Sequence, residues 1–222
     1  MLLVAVATEN EIRPLKQFLL SSEQLGVLVT GIGPTATAAN LSNYLALHGS
    51  DIDGVINIGV GGAYFDSGLT LLDICLADKE FFGDLGICMQ DEILDFEPGP
   101  LQLNAPFLFR NELVSYSKDI LRVNDIEFKV ANFVTVNCCS GTKKRGEYLQ
   151  GKFAAGCENM EGAAVAMVCD IFNIPCVELR CISNMVEDRD IINWMLEDAI
   201  DEICMVANVV LKEHISHGQP NG

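Results

Sequence analysis

Histidine is nearly absent from this 222-residue chain: there are three, His48, His214 and His217, and two of them fall in the polar stretch HISHGQPNG. That leaves almost no raw material for a histidine-based catalytic triad or a histidine metal cage. Basic residues are scarce too, 14 against 31 acidic ones, for a net charge of −17 and a pI near 4.3. A surface of that sign repels phosphate backbones and anionic lipid, which excludes nucleic acid and membrane surface as bulk partners. No apolar run approaches the roughly 18 residues of a membrane span, and MLLVAVATENEIRP turns acidic too early for a secretory signal. The nine cysteines are odd in number and form no C-x-x-C pair, so neither a disulfide framework nor a zinc ribbon fits. Reduced thiols in a cytoplasm are the expectation, and chemistry must rest on carboxylates, amides or thiols.

What the chain does have is core material. Half of its residues are apolar, 20% are charged and the mean hydropathy is +0.28. Its length argues for one domain spanning 1–222, with about 214–222 as a frayed tail. Short β-branched runs alternate with longer helical patterns, the signature of βαβ units and an α/β sandwich built on a largely parallel sheet. LLVAVAT reads as a buried strand, and a helix follows with Ile12, Leu15, Phe18 and Leu19 on one face. GVLVTGIG and DGVINIGVGGAY are strands that run into glycine turns. Further helices are expected near 110–121, 160–173 and 191–213, with the strand CVELRCIS ending at Asn184. The stretch 70–110, rich in Gly, Pro and acid, predicts a strand and then an irregular excursion.

Four places carry candidate chemistry. Gly31-Ile32-Gly33-Pro34-Thr35-Ala36 has the G-x-G-x-x-A shape of a dinucleotide turn. Against that reading, Asp51 and Asp53 precede the next strand rather than end it, and the turn follows the second strand, not the first. A tight helix-on-sheet turn, or a pocket of backbone N–H groups for a small ligand or anion, are the other readings. Gly59-Val60-Gly61-Gly62-Ala63 is a second glycine run, where a ligand can lie flat against bare backbone. Glu11, Gly31, Gly61, Cys139 and Asn184 all fall at or just past the carboxyl ends of strands, the edge where parallel α/β sheets bind ligands.

Cys138-Cys139-Ser140-Gly141-Thr142 precedes Lys143, Lys144 and Arg145. It reads either as a turn lining a ligand or as a thiol activated by cations and a helix N-terminus, and the basic trio alone reads as a solvated face. In Asn159-Met160-Glu161-Gly162-Ala163-Ala164, a Glu at a helix start is favourable with the dipole and needs no function. With three small residues behind it, the same Glu can face inward at a tight strand-to-helix crossing. Arg180, inside an apolar strand, needs a carboxylate partner if it is buried, which points to an internal polar cluster.

Taken in order, Ala7-Thr8-Glu9-Asn10-Glu11-Ile12, Gly31 to Gly33, Asn57 to Gly62, Met160 to Ala164 and Arg180 to Asn184 resemble the nucleoside phosphorylase and hydrolase superfamily, in its nucleosidase branch. The resemblance runs over essentially the whole chain and implies a three-layer α/β/α sandwich around a twisted, mixed, largely parallel sheet. Within the branch, Ser140-Gly141-Thr142, the M-E-G form at Met160 to Gly162, and Arg180 through Asp190 followed by Trp194 are similar to the futalosine hydrolase family. Relatives acting on methylthioadenosine and S-adenosylhomocysteine carry Asp where this chain has Asn184. A carboxylic acid suits the N7 acceptor and amino donor of adenine, whereas an amide gives N–H groups to the N7 and O6 acceptors of a 6-oxopurine such as hypoxanthine.

The resemblance implies roles. Glu11 orients and deprotonates the attacking water, Glu161 binds the ribose hydroxyls, Met160 packs under the sugar, and Asn184 stabilises the departing base with Ser183 orienting it. The backbone near Gly61 and Cys139 lines the purine. No metal or organic cofactor is required, the partner is a small nucleoside, and a homodimer or higher homo-oligomer is implied. The alternatives are a nucleosidase for methylthioadenosine, S-adenosylhomocysteine or aminodeoxyfutalosine, a 6-oxopurine nucleoside phosphorylase, and a nucleoside-binding protein without turnover. VTGIGPTA holds no arginine for phosphate, which favours water as the nucleophile. Lys143, Arg145 and Arg110 are candidates for a substrate carboxylate, and about 70–135 matches no motif.

Overall fold

The computed structural model describes residues 1–89, 92–96, 106–188 and 191–217. In chain order the elements are β1 (Leu2–Val6), α1 (Glu9–Ile12), α2 (Lys16–Leu20), β2 (Leu25–Val29), α3 (Pro34–His48), β3 (Gly54–Ala63), β4 (Ile74–Phe82), β5 (Ile87–Met89), β6 (Glu92–Leu94) and β7 (Phe107–Leu108). Then come α4 (Glu112–Val123), β8 (Lys129–Thr135), α5 (Lys143–Phe153), β9 (Ala155–Asn159), α6 (Gly162–Phe172), β10 (Cys176–Met185) and α7 (Leu196–His217). An eight-stranded mixed sheet, with helices on both sides, organises them.

β3 is the hinge of the sheet. Its first half pairs in parallel with β1, from Leu2↔Gly54 to Ala5↔Asn57, while its far end pairs antiparallel with β9 at Gly62↔Glu158 and Ala63↔Cys157. Its other edge is covered along its length by β10. β10 continues to β4, β4 to β8 and β8 to β9, so the sheet curls round and returns to β3. The curl brings the carboxyl ends of β1, β3, β8, β9 and β10 to one region.

The central strands are nearly uninterrupted apolar runs because both faces are covered. Leu3, Val4, Ala5 and Val6 of β1, and Val55, Ile56 and Ile58 of β3, are fully buried. Gly31 and Gly33 hold φ of +84° and +89°, a region that side chains disfavour, so the turn from β2 into α3 needs both glycines. α6 follows its β-strand on a small-residue face, with Gly162, Ala163, Ala164, Val165 and Ala166 all buried.

α7 differs from the expected helix in both bounds. It starts at Leu196 after a separate 3₁₀ turn at Ile191–Asn193, and it continues through His217 instead of fraying from 214. The extra turn is held because the His214 ring stands edge-on to Tyr116, 4.5 Å between centroids, and Ile215 packs against the core. Residues 218–222 lie outside the described residues.

All nine cysteines are thiols: Cys75, Cys157, Cys169, Cys176, Cys181 and Cys204 are buried, and Cys88, Cys138 and Cys139 are exposed. Burial pushes Cys75 and Cys181 to about 12 and Cys204 to about 11. Among the described residues no helix is long and apolar enough to cross a membrane.

Candidate active site

A cavity of about 400 Å³ opens at the shared carboxyl edge of the strands. All seven residues anticipated for a site line it: Glu11, Gly61, Cys139, Met160, Glu161, Ser183 and Asn184. They reach it from five pieces of the fold, α1, β3, the turn before α5, the β9–α6 junction and β10, and the local sequence explains how.

Glu11 comes from α1, which Thr8 caps by accepting from the Glu11 N–H. The Thr8 hydroxyl in turn donates to Glu11 Oε2 at 2.9 Å, and Val60 N–H lies 3.4 Å from Oε1. Beneath it, residue 59 must be glycine, since a Cβ there would overlap the Arg180 guanidinium and lie 2.9 Å from Glu11 Oε1.

Glu161 sits at the junction of β9 and α6. The helix is capped by Asn159, whose Oδ1 accepts from the N–H groups of Glu161 at 2.9 Å and Gly162 at 2.7 Å, which leaves the Glu161 carboxylate available. Its Oε1 accepts from Gly33 N–H at 3.0 Å, and its Oε2 is 3.7 Å from Arg180 Nη1. The G-x-G turn is therefore an anion pocket whose occupant is a carboxylate of the same chain. Burial pushes the Glu161 carboxyl up, against the pull of Arg180.

Arg180, the largest fully buried side chain, has the carboxylate partners its position demands. Nε donates to Glu178 Oε1 at 2.9 Å, and Nη2 donates to Asn57 at 3.0 Å with that amide oriented to satisfy both its atoms. Asn184 follows an irregularity in β10 between Ile182 and Asn184. The single proton of Ser183 Oγ has two acceptors in reach, Asn184 Oδ1 at 3.0 Å and Gly61 O at 3.3 Å.

Cys139 is on the rim with its Sγ 3.1 Å from Met160 Sδ. Lys143, Arg145 and Arg110 do not line the cavity. Lys143 lies over the Phe65 ring, and Arg145 is 3.8 Å from Asp84. Among the described residues that line it there are four glutamates, Glu11, Glu158, Glu161 and Glu197, and no lysine or arginine. That sign suits a site where positive charge develops on the ligand.

Sequence reasoning missed Glu158. It is buried against the cavity, where Ser140 donates to it twice, N–H to Oε1 at 2.7 Å and Oγ to Oε2 at 2.6 Å, and Tyr64 OH donates to Oε2 at 3.0 Å. Burial raises its carboxyl while those donors oppose the rise. Trp194, Leu196 and Ile200 close the far wall from the start of α7. Arg189 and Asp190, part of the anticipated motif, lie outside the described residues.

The chain is similar to known proteins. The chain is 28% identical over 202 residues to the futalosine hydrolase of Thermus thermophilus, covering 88% of this chain and 84% of that one. It is 26% identical over 169 residues to the aminodeoxyfutalosine nucleosidase of Helicobacter pylori, covering 76% and 70%. A solved structure of a futalosine hydrolase mutant from Helicobacter pylori shares its fold with a TM-score of 0.83 at 21% identity, covering 96% of this chain and 98% of that one. The model of the Phosphorylase superfamily matches residues 5–212, and the chain belongs to that family.

Proposed function

We propose that the protein is a purine nucleoside hydrolase that cleaves the N-glycosidic bond of futalosine, releasing hypoxanthine and leaving dehypoxanthine futalosine. The similarity to the Thermus enzyme supports the substrate class, and the base end of the cavity supports the base. The carrying observation is a row of three residues across the sheet. Gly62 pairs with Glu158 on β9 and with Asn184 on β10, and all three line the cavity. Residues in register face the same way, so Glu158 and Asn184 flank Gly62, and the Asn184 amide lies over that glycine, its Nδ2 3.1 Å from where a Cβ would stand. Hypoxanthine offers an N1–H donor on one side and the O6 and N7 acceptors on the other. Glu158, held as an acceptor by three donors, suits N1–H, and the Asn184 amide suits O6 and N7. Adenine presents a lone pair at N1, which faces Glu158 unfavourably.

The reaction breaks the C1′–N9 bond and forms a C1′–O bond to water. Glu11 takes a proton from that water, Glu161 holds the ribose hydroxyls and opposes the positive charge on the sugar, and Asn184, beside Ser183, gives a hydrogen bond to the base as it leaves with the bonding pair; the base anion takes a proton from solvent, and Glu11 returns its own to solvent. Met160 packs under the sugar, and the backbone at Gly61 and Cys139 borders the purine. The absence of a cation among the described lining residues supports water rather than phosphate as nucleophile.

We read the chain as one catalytic domain acting in the cytoplasm, where its thiols stay reduced, and as a homo-oligomer. The exposed Ile32 and Leu196 at the cavity are apolar surface suited to a neighbouring subunit. The test is base release from futalosine, aminodeoxyfutalosine, methylthioadenosine and inosine, with and without phosphate, followed by chromatography of the free base. Hypoxanthine from futalosine without phosphate is the expected result. Adenine release would support the second reading, an aminodeoxyfutalosine or methylthioadenosine nucleosidase, which the Helicobacter relative favours. Turnover only with phosphate would make the protein a phosphorylase.

A further inference from the structure

Behind the cavity lies a group that the reaction above does not use. Glu80, on β4, is completely buried, as is Glu178 on β10. With Glu11 and Glu161 they make four carboxyl groups around one cation, Arg180. Four charges cannot share one compensating guanidinium away from water, so at least one group must carry a proton.

The hydrogen bonds identify which. Glu80 Oε1 accepts from Thr135 Oγ1 at 2.5 Å and from Asn159 Nδ2 at 3.1 Å, as a carbonyl oxygen does. Glu178 Oε1 accepts from Arg180 Nε at 2.9 Å, as a carboxylate does. The Oε2 atoms of Glu80 and Glu178 are both buried and neither has a donor. A proton on Glu80 Oε2 would give that atom a hydrogen to donate and remove one of the four charges. The other titratable groups near Glu80 are Arg180 on β10, Cys157 on β9 and Tyr64 after β3. Burial pushes Cys157 and Tyr64 upward, so both stay neutral and neither supplies a compensating charge.

We propose that Glu80 is a neutral carboxylic acid that positions Glu161 through two arms at once. One arm runs from its hydroxyl to Glu178, which holds the Arg180 guanidinium beside Glu161 Oε2. The other runs from its carbonyl oxygen to the Asn159 amide, whose Oδ1 holds the Glu161 N–H. Glu80 touches no substrate in this reading and is a positioning residue. The proposal rests on the reading of Glu161 as the ribose-holding group. Burial, the largest influence on Glu80, favours its neutral form, as does the charge on Glu178.

The experiment compares Glu80→Gln and Glu80→Leu with the wild type. The amide of E80Q reproduces the neutral acid, accepting from Thr135 and Asn159 and donating to Glu178, so kcat/KM for base release should stay within about 3-fold and its pH profile should not move. E80L removes both arms and should lose on the order of 100-fold, the scale of an ångström-sized misplacement of a reacting group, while melting no earlier than E80Q by enough to unfold the assay sample. A wild-type-minus-E80Q infrared difference spectrum at neutral pH should show the carbonyl band of a protonated carboxyl. That band is read without substrate, so it survives if futalosine is the wrong nucleoside. If E80L does not fold, the E80Q rate and the band decide. E80Q falling as far as E80L, a missing band, or E80L retaining full activity would each overturn the proposal.

Discussion

Gly162 and Glu178 occupy one space: an added Cβ at residue 162 would lie 2.7 Å from Glu178 Cδ and closer still to both carboxylate oxygens. The glycine of the M-E-G motif is therefore tied to a buried acid sixteen residues further on, one strand away. Gly162→Ala should destabilise the fold by about 1–3 kcal/mol, the usual cost of overpacking. In a Glu178→Ala background, where the overlapping atoms are gone, that cost should shrink. Denaturant unfolding of the four proteins measures the coupling, and equal costs in both backgrounds would contradict it.

The two cavity carboxylates should fail differently. Glu11→Gln removes the base that takes the water proton and should lower kcat by roughly 10²- to 10⁴-fold with a smaller change in KM. Glu161→Gln keeps an oxygen for Gly33 N–H but loses the charge that faces the sugar, and both kcat and KM should suffer. Steady-state base release separates the two, with a melt to show that each variant is folded.

Base choice should follow the row across Gly62. Asn184→Asp places a carboxylate against O6, and the cost of an unmet acceptor, about 1–3 kcal/mol, corresponds to roughly a 10- to 100-fold loss of hypoxanthine release relative to adenine release. Glu158→Gln should narrow the same ratio, since a rotatable amide tolerates either N1. Competition between futalosine and aminodeoxyfutalosine in one tube reads the ratio directly, and an unchanged ratio in both variants would detach this row from base recognition.

His214 gives a stability effect that depends on pH. Burial lowers it to about 4, so the folded state disfavours the imidazolium that the unfolded chain forms near pH 6.5. Its contribution is complete above about pH 6.5 and is lost as pH falls toward 4. Wild type should therefore lose ground to His214→Leu between pH 7.5 and pH 5. Melting midpoints of the pair at both pH values check this, and a constant gap would count against it.

The strand-end motifs were legible because they carry punctuation: glycines that end β2 and β3, and small residues after Glu161. The strand ends gathered Glu11, Gly61, Cys139 and Asn184, the family resemblance added Met160, Glu161 and Ser183, and all seven line one cavity. The internal polar cluster was legible through Arg180 alone, a cation that no apolar strand tolerates without partners. Its other members were not. Glu178 reads as any charge in a strand, and Glu80, in LADKEFFGD, reads as surface. Its burial comes with β8 and β7 pairing on the two edges of β4 at that residue, Glu80↔Phe133 and Glu80↔Phe107, and that pairing joins segments with no local signal between them. Glu158 was hidden for the same reason, since its importance comes from Tyr64 and Ser140, brought to it by the curl of the sheet. α7 ends later than its periodicity indicated because Tyr116, on another helix, packs on its last turns.

The division of the cysteines into six buried and three exposed turns the chain into its own stopwatch. A thiol held near 11 or 12 is almost never a thiolate at neutral pH, and a reagent that attacks thiolates also needs access. The interior thiols therefore wait for the sheet to open, and the pace at which Cys75 or Cys204 is consumed counts the openings of the core one molecule at a time.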